Sequence, residues 1–321
     1  LNLSRQIKVK DTLKFLTTSS NIFRKNIDAK IIAITGSCGK TTLKELLGET
    51  LSKISKVSIS PKSYNNKYGV PLSLLNLDHN DDYGVLEVGM DKKGENVPNW
   101  EHLGFGWMEI GGITLHGQDG NPKPRMFRST KHKALINRMG FNNPGSEMMV
   151  STLSKQKSKR WASVPVGVNL GKSKITPNEE AEKDYAGTME RLWIFADLFV
   201  VNVSSPNTPN LRELQSGSEL DRILTACNEV NRRMSESTGQ QMKPLLVKVS
   251  PDLEDAQICA VADTAIAQGC AGIVATNTTL SRPANGKVMN QKGGLSGVPL
   301  RKRSTEVIHM LYAHCGSQLP I

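Results

Sequence analysis

The sequence lacks the features that identify membrane-spanning or secreted proteins. No run approaches the roughly 18 consecutive apolar residues of a membrane span; the nearest, Leu192 to Val203, is short and contains Asp197. The first residues, LNLSRQIKVK, carry no apolar segment of a secretory leader, and the chain begins with Leu1 instead of Met. We therefore expect a soluble, cytoplasmic protein, and we expect this sequence to be a fragment or a processed product.

Cysteine is scarce and irregularly spaced. None of the five cysteines lies in a CxxC motif, and no pair of histidines matches them. This pattern excludes the usual zinc sites and disulfide frameworks, and it favours a reducing compartment in which the thiols are small buried side chains. The five are Cys38, Cys227, Cys259, Cys270 and Cys315.

Long blocks of like charge are also absent. The net charge is +11, but the excess is shared between residues 1–96 and the rest of the chain, and no five like charges stand together. The densest cluster, Arg301 to Arg303, is typical of the exposed start of a helix. We therefore expect no nucleic-acid partner.

Near the start, a predicted strand, a glycine loop and a helix follow one another. Val9 to Lys25 has helical spacing of apolar residues, and Ala29 to Ile34 predicts a strand. The loop TGSCGKTT, Thr35 to Thr42, leads into a helix that we expect to end near Ser52. Such a loop directs backbone N–H groups at phosphate oxygens, with Lys40 as a mobile charge.

Three segments here resemble the Mur ligase family, and most closely its MurF type. They are the shortened loop GxxGKTT, YNNKYGVPL at Tyr64 to Leu72, and YGVLEVG at Tyr83 to Gly89. The resemblance implies ATP-dependent ligation of a peptidoglycan precursor, with magnesium held by Thr41 and Glu87. It also implies ATP binding by Gly36, Gly39, Lys40, Thr41 and Thr42.

The sequence pattern of the rest of the chain predicts strands that end in polar residues. Trp107 to Ile110 predicts a strand, Gly120 to Phe127 a proline-stiffened loop, and a short helix is expected before Asn137. Ser151 to Arg160 is expected to be a polar linker. Four strand-and-helix units follow, which is how a parallel (β/α) barrel carries a site at its strand ends. Their strands are Val164 to Asn169, Leu198 to Asn207, Pro244 to Lys248 and Gly272 to Thr278.

Six segments in this part closely resemble the class 2 dihydroorotate dehydrogenases, which are flavin enzymes of pyrimidine synthesis. The resemblance covers about residues 89–321 and rests on NRMGFNN, GVNLGKSK, VNVSSPNTPNLRELQ, LLVKVSPDL, IVATNTTLSR and GGLSGVPL. It implies flavin mononucleotide (FMN) as cofactor, dihydroorotate as substrate, orotate as product and a quinone as electron acceptor. The family associates peripherally with the cytoplasmic membrane.

The resemblance also implies roles for individual residues. Ser205 is implied to be the catalytic base, and serine at this position indicates the quinone-linked class. Amides suit a planar substrate ring of alternating C=O and N–H groups. The implied substrate-binding residues are Lys92, Asn137, Arg138, Met139, Gly140, Phe141, Asn202, Asn207, Asn277 and Thr278. The implied cofactor-binding residues are Gly89, Lys92, Asn169, Asn202, Lys248, Thr276 and Gly297.

The chain departs from this family in three ways. Gly112 stands where the family usually has Thr or Ser facing the flavin. The last strands of the barrel, which carry the turns that bind the flavin phosphate, do not follow Leu319. The N-terminal helices that dock on the membrane and admit quinone are missing, so we expect membrane association to be lost.

We therefore predict a fusion of two α/β pieces. Residues 1–95 form a P-loop-type Mur ligase segment, and residues 96–321 form an incomplete (β/α)8 TIM-type barrel. Gly89 to Glu95 fits both families, so Tyr83 to Val88 is either a ligase strand or the first strand of the barrel. Dihydroorotate oxidation is the first functional hypothesis and the ligase reaction is the second. The third, which we favour for this particular polypeptide, is a recombined chain without catalytic activity.

Overall fold

A computed structural model provides the structure of the chain. It describes residues 8–34, 40–62, 64–66, 68–88, 107–157, 164–208, 210–215, 217–283 and 285–321, with the side chains of residues 40–43, 156 and 157 outside the description. The described residues divide into two compact units. The first ends at Val88 and includes Trp107, and the second runs from Met108 to Ile321. The predicted boundary between residues 95 and 96 lies outside the described residues.

The first unit is a three-stranded parallel sheet with helices. Its elements are α1 (Thr12–Lys25), β1 (Lys30–Ile34), α2 (Lys40–Leu51), β2 (Val57–Ile59), α3 (Gly69–Leu75) and β3 (Tyr83–Glu87). Asp11 begins α1 by accepting a hydrogen bond from the backbone N–H of Lys14 at 2.9 Å, which satisfies one of the donors that a helix start leaves unpaired. The helix predicted from Val9 therefore begins at Thr12.

The central strand of this sheet is β3. The strand order is β1-β3-β2, with Tyr83 opposite both Lys30 and Val57. Val85 and Leu86 are fully buried, which is typical of a strand with neighbours on both sides. The sequence left open whether Tyr83 to Val88 is a ligase strand or the first strand of the barrel. In the structure it is the central strand of the first unit.

The second unit contains eight strands and five α-helices among its described residues. The strands are β4 (Met108–Ile113), β5 (Met126–Ser129), β6 (Ala134–Asn137), β7 (Val166–Leu170), β8 (Leu198–Asn202), β9 (Leu245–Lys248), β10 (Gly272–Val274) and β11 (Gly294–Gly297). The helices are α4 (Ser146–Lys157), α5 (Ala181–Leu192), α6 (Gly217–Thr238), α7 (Asp255–Ala267) and α8 (Val298–Cys315).

Five of these strands form one parallel sheet in the order β10-β9-β8-β7-β4. Val168, Val201 and Val247 are fully buried in its three central strands, which is the composition expected of parallel strands covered on both faces. The four strands predicted after residue 163 are all present. Because the strands are parallel, their carboxyl ends lie along one edge, where β7, β8, β9 and β10 each end near polar residues.

Two local predictions are wrong. The short helix expected before Asn137 is strand β6, which forms an antiparallel sheet with β5 and β11. Ala134 and Ile136 are buried at alternate positions, and this spacing is that of a strand. The polar linker expected at Ser151 to Arg160 is largely helix α4. Its buried side chains Met149 and Leu153 are four residues apart and so lie on one face of a helix.

The cysteines behave as small buried side chains. Cys227, Cys270 and Cys315 are buried, Cys259 is partly buried, and all four are unpaired. Burial raises the pKa of Cys227 to about 12 and that of Cys270 to about 11. Cys38 lies outside the described residues. No helix in the described part of the chain is long and apolar enough to cross a membrane.

Candidate functional site

Three asparagines meet at the carboxyl edge of the five-stranded sheet. Asn202 Nδ2 donates to Asn169 Oδ1 at 3.1 Å, and Asn277 Nδ2 lies 3.4 Å from Asn202 Oδ1 and 3.0 Å from Ser204 Oγ. Ser204 Oγ in turn donates to Asn202 Oδ1 at 3.0 Å. We call Asn169, Asn202, Asn277 and Ser204 the amide cluster. It joins the ends of β7, β8 and β10.

The amide cluster is held by two further contacts, of which one is buried and one partly buried. Asn169 Nδ2 donates to Glu109 Oε1 at 3.1 Å. The hydroxyl of Tyr185 donates to the backbone oxygen of Asn202 at 2.9 Å. Burial, reinforced by the charge of Asp184, raises the pKa of Tyr185 well above its ordinary value, so this hydroxyl stays a neutral donor. The cluster is therefore fixed in position by residues of β4 and α5.

Ser205 lies in the tight turn that follows β8. The backbone N–H of Asn207 points at Ser205 Oγ from 3.3 Å, and Ser205 is 7% exposed. Asn207 Nδ2 lies 3.4 Å from Asn137 Oδ1, and Asn121 Nδ2 donates to the backbone oxygen of Asn207 at 3.2 Å. We call Ser204 to Asn207 the serine turn. It brings the end of β6 to the end of β8.

The segment after β6 surrounds Asn137. Arg138 donates to the backbone oxygen of Pro124 at 2.8 Å and lies over the ring of Phe127 at 4.8 Å. Met139 donates its backbone N–H towards Asn137 Oδ1 at 3.4 Å. Gly140 and Phe141 both have positive φ, at 71° and 49°. This backbone conformation suits glycine and makes the segment a sharp turn.

The ring of Phe141 lies against two glycines at the ends of β4 and β7. A Cβ atom added at Gly112 would lie 2.9 Å from the ring, and one at Gly171 would lie 3.1 Å from it. The Thr or Ser usual at position 112 would therefore collide with Phe141 in its present place. The absence of a side chain at Gly112 therefore leaves room for the ring of Phe141.

Most residues predicted to contact a flavin, together with Thr278 of the predicted substrate-binding set, follow or end strands of the five-stranded sheet, whereas Gly297 ends β11 of the antiparallel sheet. Lys248 ends β9, is partly buried, and has no side-chain hydrogen bond or ion pair within the described residues. Thr276 donates to Ser304 Oγ at 3.2 Å. Thr278 donates its backbone N–H to Asn277 Oδ1 at 2.7 Å. Gly297 has φ of 97° and passes close to the backbone of Lys133. The predicted contacts of Gly89 and Lys92 lie outside the described residues.

Sequence reasoning missed several residues that hold this site. Asn121 and Glu109 contact predicted site residues directly, as described above. Arg212 and Asp252 connect the loops that follow β8, β9 and β10. Both residues stand in motifs that the sequence analysis quoted, Arg212 in LRELQ and Asp252 in SPDL. Their charge could have indicated a structural role, but charged residues are more often exposed to solvent.

In the first unit, Glu87 ends β3 and is buried. Asn65 Nδ2 donates to Glu87 Oε1 at 2.7 Å, and the backbone N–H of Glu87 donates to Ser60 Oγ at 3.0 Å. Lys44 is fully buried and donates to the backbone oxygens of Ser60 and Lys62 at 2.7 and 2.6 Å. Gly36 and Gly39, and the side chains of Lys40, Thr41 and Thr42, lie outside the described residues. The described part of the chain holds no cluster of three metal-ligating His, Cys, Asp or Glu side chains.

Residues 75–321 match the family described as Dihydroorotate dehydrogenase. The chain belongs to the dihydroorotate dehydrogenase family. It is 49% identical over 236 residues to the dihydroorotate dehydrogenase (quinone) of Gloeobacter violaceus, covering 74% of this chain and 64% of that protein. It is 41% identical over 273 residues to the enzyme of the same name from Chromobacterium violaceum, covering 84% of this chain and 78% of that protein.

A solved dihydroorotate dehydrogenase structure shares the fold of this chain. The crystal structure of the Eimeria tenella enzyme in complex with ferulenol is 38% identical, with a TM-score of 0.66, and the match covers 71% of this chain and 65% of that chain. The chain thus spans about two thirds of the length of several relatives that it matches. The prediction of a TIM-type α/β fold, preceded by an α/β segment, is confirmed. Dihydroorotate dehydrogenases are flavin-dependent in general.

A second family matches the beginning of the chain. Residues 34–101 match the Mur ligase middle domain, so the predicted resemblance of this part is confirmed as well. The two matches overlap at residues 75–101, a stretch that contains Gly89 to Glu95, which the sequence alone assigns to both families.

Proposed function

We propose that the second unit binds FMN and dihydroorotate and oxidises dihydroorotate to orotate, with a quinone as electron acceptor. The observation that carries the proposal is the meeting of the amide cluster and the serine turn at the carboxyl edge of one parallel sheet. Membership of the dihydroorotate dehydrogenase family supports it. In α/β barrels, that edge is where active sites are built.

Ser205 is the proposed base. Oxidation of dihydroorotate removes a proton beside a carbonyl and a hydride from the adjacent carbon, and bound FMN would accept the hydride because no side chain can. Ser205 would take the proton while its own hydroxyl proton passes on to solvent. The N–H of Asn207, 3.3 Å from Ser205 Oγ, would stabilise the partial negative charge that builds on Oγ as that proton leaves.

The amides would hold the substrate ring. Asn137, Asn202, Asn207 and Asn277 each offer one carbonyl oxygen and two N–H donors. Their two mutual hydrogen bonds, from Asn207 to Asn137 and from Asn277 to Asn202, are both 3.4 Å long, which is longer and therefore weaker than a usual N–H···O bond of up to about 3.2 Å. These bonds can therefore be exchanged for bonds to a ring of alternating C=O and N–H groups, with Thr278 completing the set.

The donor set also fits a flavin ring. Lys248 provides a partly buried cation without a side-chain partner among the described residues, which suits an electron-rich ring system. Asn169, Asn202 and the Thr276 hydroxyl provide neutral donors and acceptors along the same edge. By the family resemblance, Gly89, Lys92 and Gly297 would complete these contacts.

The test is made on the purified full chain. We expect flavin absorbance after incubation with FMN and removal of the excess, and reduction of a quinone analogue that requires dihydroorotate. Lys248→Met should lower flavin retention, while Lys287→Met, at an exposed position, should not. A colourless protein that reduces no quinone would overturn the proposal and favour a chain without this activity.

A second candidate function, ATP binding with magnesium, concerns the first unit. The match of residues 34–101 to the Mur ligase middle domain and the contact between Asn65 and Glu87 favour it. We infer that Gly36, Gly39, Lys40, Thr41 and Thr42 bind the phosphates, with Thr41 and Glu87 on the metal, as in a MurF-type ligase. Lys40→Ala should abolish magnesium-dependent ATP binding, and Lys53→Ala should leave it unchanged. The absence of binding in the unmodified chain would contradict this function.

A further inference from the structure

Arg212 joins the loops that follow three consecutive strands of the sheet. Its Nε donates to the backbone oxygen of Ser204 at 3.2 Å, and its Nη2 donates to the backbone oxygen of Thr278 at 2.8 Å. Its Nη1 donates to Asp252 Oδ2 at 2.6 Å. Ser204 follows β8, Asp252 follows β9 and Thr278 follows β10, so one planar guanidinium fixes all three loops.

Asp252 extends the connection towards the loop after β10. The Thr279 hydroxyl donates to Asp252 Oδ1, and the backbone N–H of Leu280 donates to Oδ2 at 2.7 Å. The side chains of Arg212 and Asp252 are 19% and 23% exposed. Charge-assisted hydrogen bonds that are largely shielded from water are the stronger ones. The pair is therefore a firm link between loops.

The segment that carries Arg212 is itself anchored. Arg212 lies in the short 3-10 helix Leu211–Gln215. Gln215 Oε1 accepts the backbone N–H of Ser250 at 3.0 Å, and Gln215 Nε2 donates to the backbone oxygen of Arg212 at 3.3 Å. This helix therefore contacts the end of β9 at a second point, and the guanidinium reaches its partners from a fixed base.

The carbonyl groups that Arg212 binds belong to peptide planes of the proposed site. The Ser204 oxygen is in the plane that leads into Ser205, and the Thr278 oxygen is in the plane that follows Asn277 and Thr278. Fixing both planes sets the direction of the Ser205 hydroxyl relative to the substrate amides. We propose that Arg212, held by Asp252, is a positioning residue for Ser205, an inference that rests on the proposed dehydrogenase function.

Arg222 provides a matched control on helix α6. It also donates to two backbone oxygens, those of Asn178 and Glu179, each at 3.3 Å. It also pairs with carboxylates, Glu219 at 2.8 Å and Glu182 at 3.2 Å. None of these four partners is a predicted site residue. Loss of Arg222 therefore removes a comparable set of contacts without touching the serine turn.

The test compares the full chain with Arg212→Met, Arg212→Lys and Arg222→Met. We expect Arg212→Met to accelerate backbone hydrogen exchange at least about 10-fold in segments 204–208 and 277–280. We also expect it to lower kcat on the order of 10²-fold, more than it changes KM, since misplacing a reacting group by about 1 Å has an effect of that size. Arg212→Lys should recover part of both, because an ammonium cannot reproduce the guanidinium fork. Arg222→Met should leave both measurements as in the unmodified chain.

Hydrogen exchange separates failure of this inference from failure of the proposed function. If the unmodified chain oxidises no dihydroorotate, the dehydrogenase function fails, whereas faster exchange confined to the two segments still supports the link through Arg212. Unchanged exchange in Arg212→Met overturns the inference, and so does a loss of kcat that Arg222→Met reproduces. Should Arg212→Met not fold, Asp252→Asn takes its place, and it must loosen 277–280 for the inference to stand.

Discussion

The two units both place polar side chains at the carboxyl ends of parallel strands, but they fix them differently. In the second unit, side chains cross between loops, so the ends of β7, β8, β9 and β10 are linked by Asn202, Asn277 and Arg212. In the first unit, Glu87 contacts Ser60 and Asn65, which both follow β2. The candidate site of the second unit is thus assembled from several loops across the sheet, and in the first unit the loop after β2 contributes two contacts to the carboxylate residue at the end of β3.

A buried lysine fixes a loop in each unit. Lys44 donates to the backbone oxygens of Ser60 and Lys62, and Lys172 donates to those of Ser173 and Thr176. Burial lowers the pKa of Lys172, opposed by the nearby charge of Asp184. Both lysines donate to backbone carbonyl groups. The same kind of contact therefore stabilises a loop in the first unit, near Glu87, and a loop in the second unit, after β7.

Removal of the proposed base should have the largest effect and should affect only the second unit. We expect Ser205→Ala to lower dihydroorotate oxidation by about 10² to 10⁴-fold, the usual contribution of a general base. The assay is reduction of a quinone analogue by the flavin-loaded chain. Ser237→Ala on the exposed face of α6 is the control. Full activity in Ser205→Ala would remove Ser205 as the base.

A pair of core substitutions tests whether the two units unfold separately. Leu86 in β3 and Leu170 in β7 are both fully buried. Each Leu→Ala change should destabilise its own unit by about 2–5 kcal/mol, through lost burial and the cavity left behind. Denaturant unfolding, followed by hydrogen exchange of each unit, should show a shift in one unit only. A shift of both units by either substitution would contradict separate unfolding.

Lys44→Met tests the buried lysine of the first unit. The backbone oxygens of Ser60 and Lys62 would each lose a charged donor. Ser60 is buried, and leaving a buried group unsatisfied costs about 1–3 kcal/mol. We expect lower stability of the first unit and unchanged flavin binding by the second. Lys53→Met, at an exposed position, is the control, and equal stability of the two variants would show that Lys44 is dispensable.

The most gradual expected effect, spread over several pH units, is on the alkaline stability of the second unit. Burial raises the pKa of Cys227 from 9.0 to about 12, so the folded state keeps the proton that the unfolded state releases. Stability should therefore fall as pH rises between these two values, by about 1.4 kcal/mol per pH unit for one fully shifted group. Cys227→Ala should flatten the dependence measured in denaturant titrations. If the stability of Cys227→Ala falls equally steeply with rising pH, the pH dependence comes from other titrating groups.

The parallel strands of the second unit could be predicted from the sequence, because β7 to β10 are short apolar runs that end in polar residues. Helix α4 could not, because Met149 and Leu153 are the only apolar side chains buried among its described residues, and such a helix has little periodic signal. The hairpin residue Ile136 lies in a segment too short to separate strand from helix by periodicity.

The candidate site divides in the same way. Asn169, Asn202 and Asn277 could be named from sequence motifs, and the structure brings them together. The role of Arg212 could not be named, because its partners Asp252 and Thr278 are 40 and 66 residues away along the chain. Contacts between a side chain and a distant backbone oxygen leave no pattern in the spacing of residues.

The sequence by itself determined which two families the chain combines and where most of its strands lie, since local apolar patterns and motifs are properties of neighbouring residues. Only the tertiary structure decided that β3 pairs with β1 and β2, because a strand that suits two sheets is assigned by its hydrogen-bonding partners. It also decided that one arginine links three loops of the candidate site, because a guanidinium binds whichever carbonyls the fold places within its reach.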